Sequence, residues 1–167
     1  LGVGIKTNTT VKNLENVFNQ GYAPIFLGTG AGISQNMGIP GENAGGVIHA
    51  LNFLRQINLG AKVELGERVA VIGGGNAAVD AARVAQRLGA KEVSIVYRRS
   101  RAEMPAVATE VEEAEREGVE IDFLAMPLSV LSKDDKLTGI QCIRMELEEP
   151  DASGRRRPIP VKGSEFN

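Results

Sequence analysis

A chain of 167 residues with 43% hydrophobic and 24% charged residues has the size and balance of one globular domain, or of one domain with attached pieces. The formal net charge of -2 excludes a dedicated nucleic-acid binder and a polybasic membrane binder. One cysteine, Cys142, and one histidine, His49, exclude an internal disulfide framework, a structural zinc site and a ligand set for an iron–sulfur cluster, and point to a reducing, cytoplasmic setting.

The N-terminal "LGVGIKTNTT" has no basic and apolar regions of a signal peptide and no initiator Met, which reads as a processed or excised chain. No apolar run approaches the roughly 18 residues that span a bilayer. "VGIKTNT" is a candidate strand. "VKNLENVFNQG" places Leu14, Val17 and Phe18 at helical spacing with Gly21 as a stop. "APIFLGTGAG" reads as a strand running into a glycine turn. "MGIPGENAGG" is a loop and "VIHALNFLRQI" a helix. His49 in that helical start has apolar neighbours, which favours a structural role over a catalytic one.

"ERVAVIGGG" is the next strand. From Asn76 the period changes from 2 to 3.6, with Val79, Ala82, Ala85 and Leu88 as the expected apolar stripe and Gly89 at the helix end. "EVSIVY" is a strand. "AVATEVEEAEREG" is an amphipathic helix with Val107, Val111 and Ala114 inward and Gly118 as its stop. "VEIDFLA" returns as a strand, and then "LTGIQCIRMELEE" and "PIPV" flank a turn at Asp151 to Gly154. The expected fold is α/β and Rossmann-like, a parallel sheet with helices on both faces and an antiparallel β appendage.

"GGGNAA", Gly73 to Ala78, fits G-x-G-x-x-A, and it follows a strand and opens a helix, the context that fingerprint requires. Gly73 permits the tight turn, Gly75 lets a pyrophosphate approach the backbone, and Ala78 lets the helix lie close on the strand. The helix start then offers free N–H groups and partial positive charge to phosphates. A glycine-rich turn that binds nothing is the competing reading.

The following strand discriminates between dinucleotides. Where an NAD site carries an acid for the ribose 2′-OH, this chain carries Arg98 and Arg99, with Arg101 close by. Guanidinium forks bind a 2′-phosphate that an acid would repel, so NADP(H) is the expected ligand. A solvated charge run is the alternative for these arginines, and the favoured reading for "GRRRP" at the tip of the last hairpin. "FLGTGAG" lacks a following amphipathic helix and is not a second full fingerprint. Neither Tyr22 nor Tyr97 has a lysine three or four residues on, which disfavours a self-contained dehydrogenase.

"GGGNAAVDAARVAQRLGAKEVSIVYRRSRAEMPA" together with "GIQCIRMELEEPDASGRRRPIPV" resembles the small (beta) subunit of NADPH-dependent glutamate synthase and related NADPH-dependent FAD and iron–sulfur oxidoreductases. "GYAPIFLGTGAG" followed by "IPGEN" resembles that family's crossover from an FAD domain into an NADPH domain. The resemblance covers nearly the whole chain. It implies residues 1–32 as a flanking segment and crossover from an FAD domain, and residues 33–167 as the NADPH-binding Rossmann-like domain with a C-terminal β-hairpin. It places Gly73, Gly74, Gly75, Asn76 and Ala77 around the pyrophosphate, and Arg98, Arg99 and less directly Arg101 at the 2′-phosphate. Thr29 and Gly30 would lie near the FAD. The implied function is to present the nicotinamide for hydride transfer to FAD held elsewhere in the protein, this fragment alone being inactive. The implied partners are the remaining FAD and iron–sulfur domains and a large glutamate synthase-like subunit or ferredoxin. A non-enzymatic NADP(H)-sensing module is the alternative.

Overall fold

The computed structural model describes residues 2–30, 32–134, 136–152, 154 and 156–167. The chain divides into two compact units, Leu1–Gly32 and Ile33–Asn167. In the first, the only regular element among the described residues is the four-residue helix α1, Glu15–Phe18, with no buried residue. The two strands expected here do not form. A strand needs a ladder partner, and neither segment pairs with another among the described residues. The apolar side chains that would have filled a sheet stay open, Phe26 at 94% exposure.

The second unit holds helix α2 (Ala50–Asn58), strand β1 (Arg68–Ile72), helix α3 (Asn76–Arg87), strand β2 (Glu92–Tyr97), a 3-10 turn (Arg101–Glu103), helix α4 (Ala108–Arg116) and strand β3 (Glu120–Phe123). β1, β2 and β3 form a parallel sheet in that order, with Val69 opposite Val93 and Ile95 opposite Ile121. Strand alternation sends Val93 and Ile95 into one core with Phe53 of α2, Val79 and Ala82 of α3, and Val111 and Ala114 of α4. The helices therefore share one face of the sheet. On the other face Ile72 and Val96 meet Ala125, Ile140, Cys142 and Phe166 of an antiparallel sheet, so helices on both faces give way to helices on one and β-structure on the other.

That second sheet is a three-stranded meander, not a single hairpin: β4 (Ala125–Lys133), β5 (Lys136–Leu147) and β6 (Pro158–Phe166). β4 was illegible because Pro127 and a register shift between Pro127 and Ser129 break its alternation. The expected strand through residue 125 is cut at Leu124, whose φ of 55° turns the chain from β3 into β4.

Two expected core positions move outward. Leu88 is 48% exposed because four residues spaced by three drift steadily around a helix with 3.6 residues per turn, ending on the side opposite Val79. Val107 is the extended N-cap of α4 and is also exposed, while Val111 and Ala114 are buried as expected. Gly89 and Gly118 both take positive φ just past helix ends. No helix among the described residues is long and apolar enough to cross a membrane.

Candidate functional site

β1 ends at Ile72 and the chain turns at once into α3 through three glycines. Gly73 has φ 132°, a conformation that side chains rarely adopt, and its N–H donates to the Val96 carbonyl of the neighbouring strand at 3.1 Å. Gly74 is buried against the Tyr97 ring. Gly75 is the N-cap of α3, and a Cβ built on it meets nothing within 4 Å. No side chain caps this helix. The turn thus combines an uncapped helix start with open space above Gly75, where an anionic group can reach backbone N–H donors.

The two residues after Gly75 divide their tasks. The Asn76 Oδ1 accepts from the Val107 N–H at 3.0 Å, which ties the start of α3 to the start of α4. Ala77 is half-buried at the first turn, and Ala78 lies 3.5 Å from the position a Gly73 Cβ would take. The Gly74 carbonyl accepts from Ala106 N–H at 3.1 Å, so the loop after β2 is bonded directly to the turn.

That loop carries the arginines. Arg98 is exposed and makes no hydrogen bond or ion pair among the described residues. Arg99 is half-buried, and its Nε is fully buried without a hydrogen-bond partner. Such an orphan donor is costly unless something accepts from it. Arg101 differs. It pairs with Glu115 of α4 and stacks over the Phe123 ring at 5.3 Å, so its charge is already engaged. Parallel pairing of β1 and β2 brings the glycine turn and the first two arginines to the same end of the sheet.

Sequence reasoning missed the loop's fastening. Ser100 and Glu103 form a capping box around the 3-10 turn, with the Ser100 N–H and hydroxyl both donating to the Glu103 carboxylate. These bonds, led by the Ser100 hydroxyl and helped by Arg156, hold the Glu103 carboxyl below its ordinary range. The S-x-x-E spacing at 100–103 was the readable signal. Arg156, assigned from sequence to a solvated turn, instead places its guanidinium 3.4 Å from Glu103, while Arg155 lies outside the described residues. Thr29 and Gly30 belong to the first unit, where both are exposed on irregular backbone and Gly30 has φ 69°.

The family model for pyridine nucleotide-disulphide oxidoreductases matches residues 2–153. The chain belongs to this family. As a pyridine nucleotide-disulphide oxidoreductase domain it is 50% identical, over 99% of its length, to the NADP(+)-dependent formate dehydrogenase subunit beta of Moorella thermoacetica. It is 46% identical over 99% of its length to the NADPH-Fe(3+) oxidoreductase subunit beta of Geobacter sulfurreducens, and 38% identical over 99% to the glutamate synthase [NADPH] small chain of Escherichia coli. The resemblance to the glutamate synthase small subunit and its relatives is borne out. The chain covers 24%, 26% and 38% of these three relatives respectively. Among solved structures, FprA from Mycobacterium tuberculosis matches with a TM-score of 0.67 at 22% identity, over 83% of this chain and 46% of that one. Thioredoxin reductase from T. acidophilum matches with a TM-score of 0.54 at 20% identity, over 77% and 38%. At that identity the likeness speaks to the fold, which is that of the oxidoreductase family domain.

Proposed function

We propose that this pyridine nucleotide-disulphide oxidoreductase domain is the NADPH-binding part of a flavin-dependent oxidoreductase similar to the glutamate synthase small subunit. The observation that carries the reading is the orphaned, buried Nε of Arg99 just past β2, at the same end of the sheet as the open Gly75 and the uncapped start of α3. The residues fit the nucleotide in three places. Gly73, Gly74, Gly75 and Ala77 give a close backbone and helix-end approach to a pyrophosphate. Arg98 and Arg99 offer unpaired guanidinium donors to a 2′-phosphate. Asn76 and the Ala106–Gly74 bond keep the two halves of the site in register.

The chemistry supplied by the bound nucleotide is hydride donation, and this chain's residues bind and orient it. Thr29 and Gly30 are proposed to lie toward the flavin, which is held by another part of the protein. Residues 1–32 are proposed as the crossover segment and 33–167 as the nucleotide domain. Iron–sulfur clusters, a large subunit or ferredoxin as electron acceptor, and a cytoplasmic setting complete the reading. All three relatives named above are called subunits or chains of NADP(H)-linked enzymes, and each is much longer than this chain.

Calorimetric titration of the chain with NADPH and, separately, NADH at moderate salt tests the proposal. Preferential binding of NADPH is expected. Equal or stronger binding of NADH returns Arg98 and Arg99 to solvated surface and overturns the assignment.

A further inference from the structure

We infer that Arg156 is a charge-masking residue of the nucleotide site, a positioning and specificity role that rests on the NADPH reading above. The starting observation is an acid in an awkward place. Glu103 is bonded through one carboxylate oxygen to the N–H and hydroxyl of Ser100, the residue that directly follows Arg99. A carboxylate is thereby fixed at the base of the loop that carries both phosphate-binding arginines. Its side chain is 17% exposed, so water screens it poorly. Left alone, this charge would repel a 2′-phosphate in the way the ribose-binding acid of an NAD site does.

The other oxygen of the same carboxylate is met by Arg156. Its guanidinium Nη1 lies 3.4 Å from Glu103 Oε1, across 53 residues of sequence. Arg156 is also held by the backbone just past β5. Its Nε donates to the Glu148 carbonyl at 3.4 Å, and the Glu148 N–H donates to the Arg157 carbonyl at 2.9 Å, which closes the neck of the β5–β6 connection. The arginine is therefore aimed by the antiparallel sheet at an acid on the nucleotide loop. With the pair intact, the loop keeps the capping box that shapes it, while the net charge it shows a phosphate is that of Arg98 and Arg99.

The test is a charge cycle read on both nucleotides by calorimetry, with thermal melting as a check on folding. Arg156→Ala is expected to weaken NADPH binding about tenfold while leaving NADH binding unchanged, because only the extra phosphate feels the unmasked acid. Glu103→Gln keeps the capping box, since glutamine serves at that position, and removes the charge. In the Arg156→Ala background it is expected to restore NADPH affinity to near that of the unaltered chain. Equal loss for both nucleotides, or failure of Glu103→Gln to rescue, overturns charge masking; the latter result makes Arg156 a direct phosphate ligand. If the unaltered chain shows no preference for NADPH, the parent reading falls. If it prefers NADPH and Arg156→Ala leaves that preference intact, only this inference falls.

Discussion

Gly74 and Tyr97 are pressed together so closely that a Cβ on the glycine would lie 2.5 Å from both Cδ2 and Cε2 of the ring. The ring cannot swing away. Tyr97 is buried, and its hydroxyl donates to the Glu103 carbonyl at 2.8 Å. Gly74 thus lets the start of the glycine turn pack on the end of β2. Gly74→Ala is expected to destabilise the domain by about 1–3 kcal/mol, the usual range for overpacking a filled site. Urea unfolding measures it; an unchanged midpoint would show that the ring has somewhere to go.

Gly75 provides the opposite case one residue on. Its φ of -90° suits any residue, and nothing lies within 4 Å of the position its Cβ would take. Gly75→Ala should leave the unfolding midpoint in place. It should nonetheless weaken NADPH and NADH alike, by about tenfold or ~1.4 kcal/mol, because the methyl group fills the approach to the backbone donors. Unaltered affinity would place the pyrophosphate elsewhere.

These two glycines also show what the sequence could and could not disclose. The G-x-G-x-x-A spacing between a strand and a helix was legible because it is local, and β2, from Glu92 to Tyr97, was read residue for residue. The pressure of Tyr97 on Gly74 was not legible, since it joins the turn after one strand to the end of the neighbouring strand. Nor was Arg156, whose partner lies 53 residues away and is reached only once the antiparallel sheet has formed. In the first unit the failure ran the other way. "VGIKTNT" and "APIFLG" have strand composition, but strand structure is a property of pairs, and neither segment has a partner among the described residues.

Glu117 gives the domain a pH-sensitive fastening between α3 and its neighbour. It sits just past α4 and accepts from Arg83 Nη2 at 2.7 Å and Arg87 Nη2 at 2.6 Å on α3. Hydrogen bonds from Arg83 first and Arg87 second lower its carboxyl from the ordinary 4.5 to about 2. A folded-state value below the unfolded one contributes stability that is fully present above about pH 4.5 and is lost as pH falls toward about 2. Glu117→Gln is expected to lower the melting temperature at pH 7 by about 2–4 °C. The gap between variant and parent should close across that acid window. A gap that stays constant with pH would assign the effect to packing.

The three arginines after β2 look alike in sequence, but their surroundings predict separate behaviour. Arg98 is open and unpaired, Arg99 has a buried Nε with no acceptor, and Arg101 is engaged by Glu115 and the Phe123 ring. A phosphate oxygen would supply the acceptor that Arg99 lacks, at the end of a strand already bonded to the glycine turn. Arg98→Ala and Arg99→Ala are each expected to weaken NADPH binding by about 1.5–3 kcal/mol, the range for hydrogen bonds to charged groups, with NADH little affected. Arg101→Ala should instead loosen the contact with α4 and leave the NADPH-to-NADH ratio near its starting value. Titrating the three variants with both nucleotides separates these outcomes. Loss of NADPH preference confined to Arg101→Ala would mean that the Glu115 pair opens on binding, and that the orphan donor of Arg99 finds its partner within the protein.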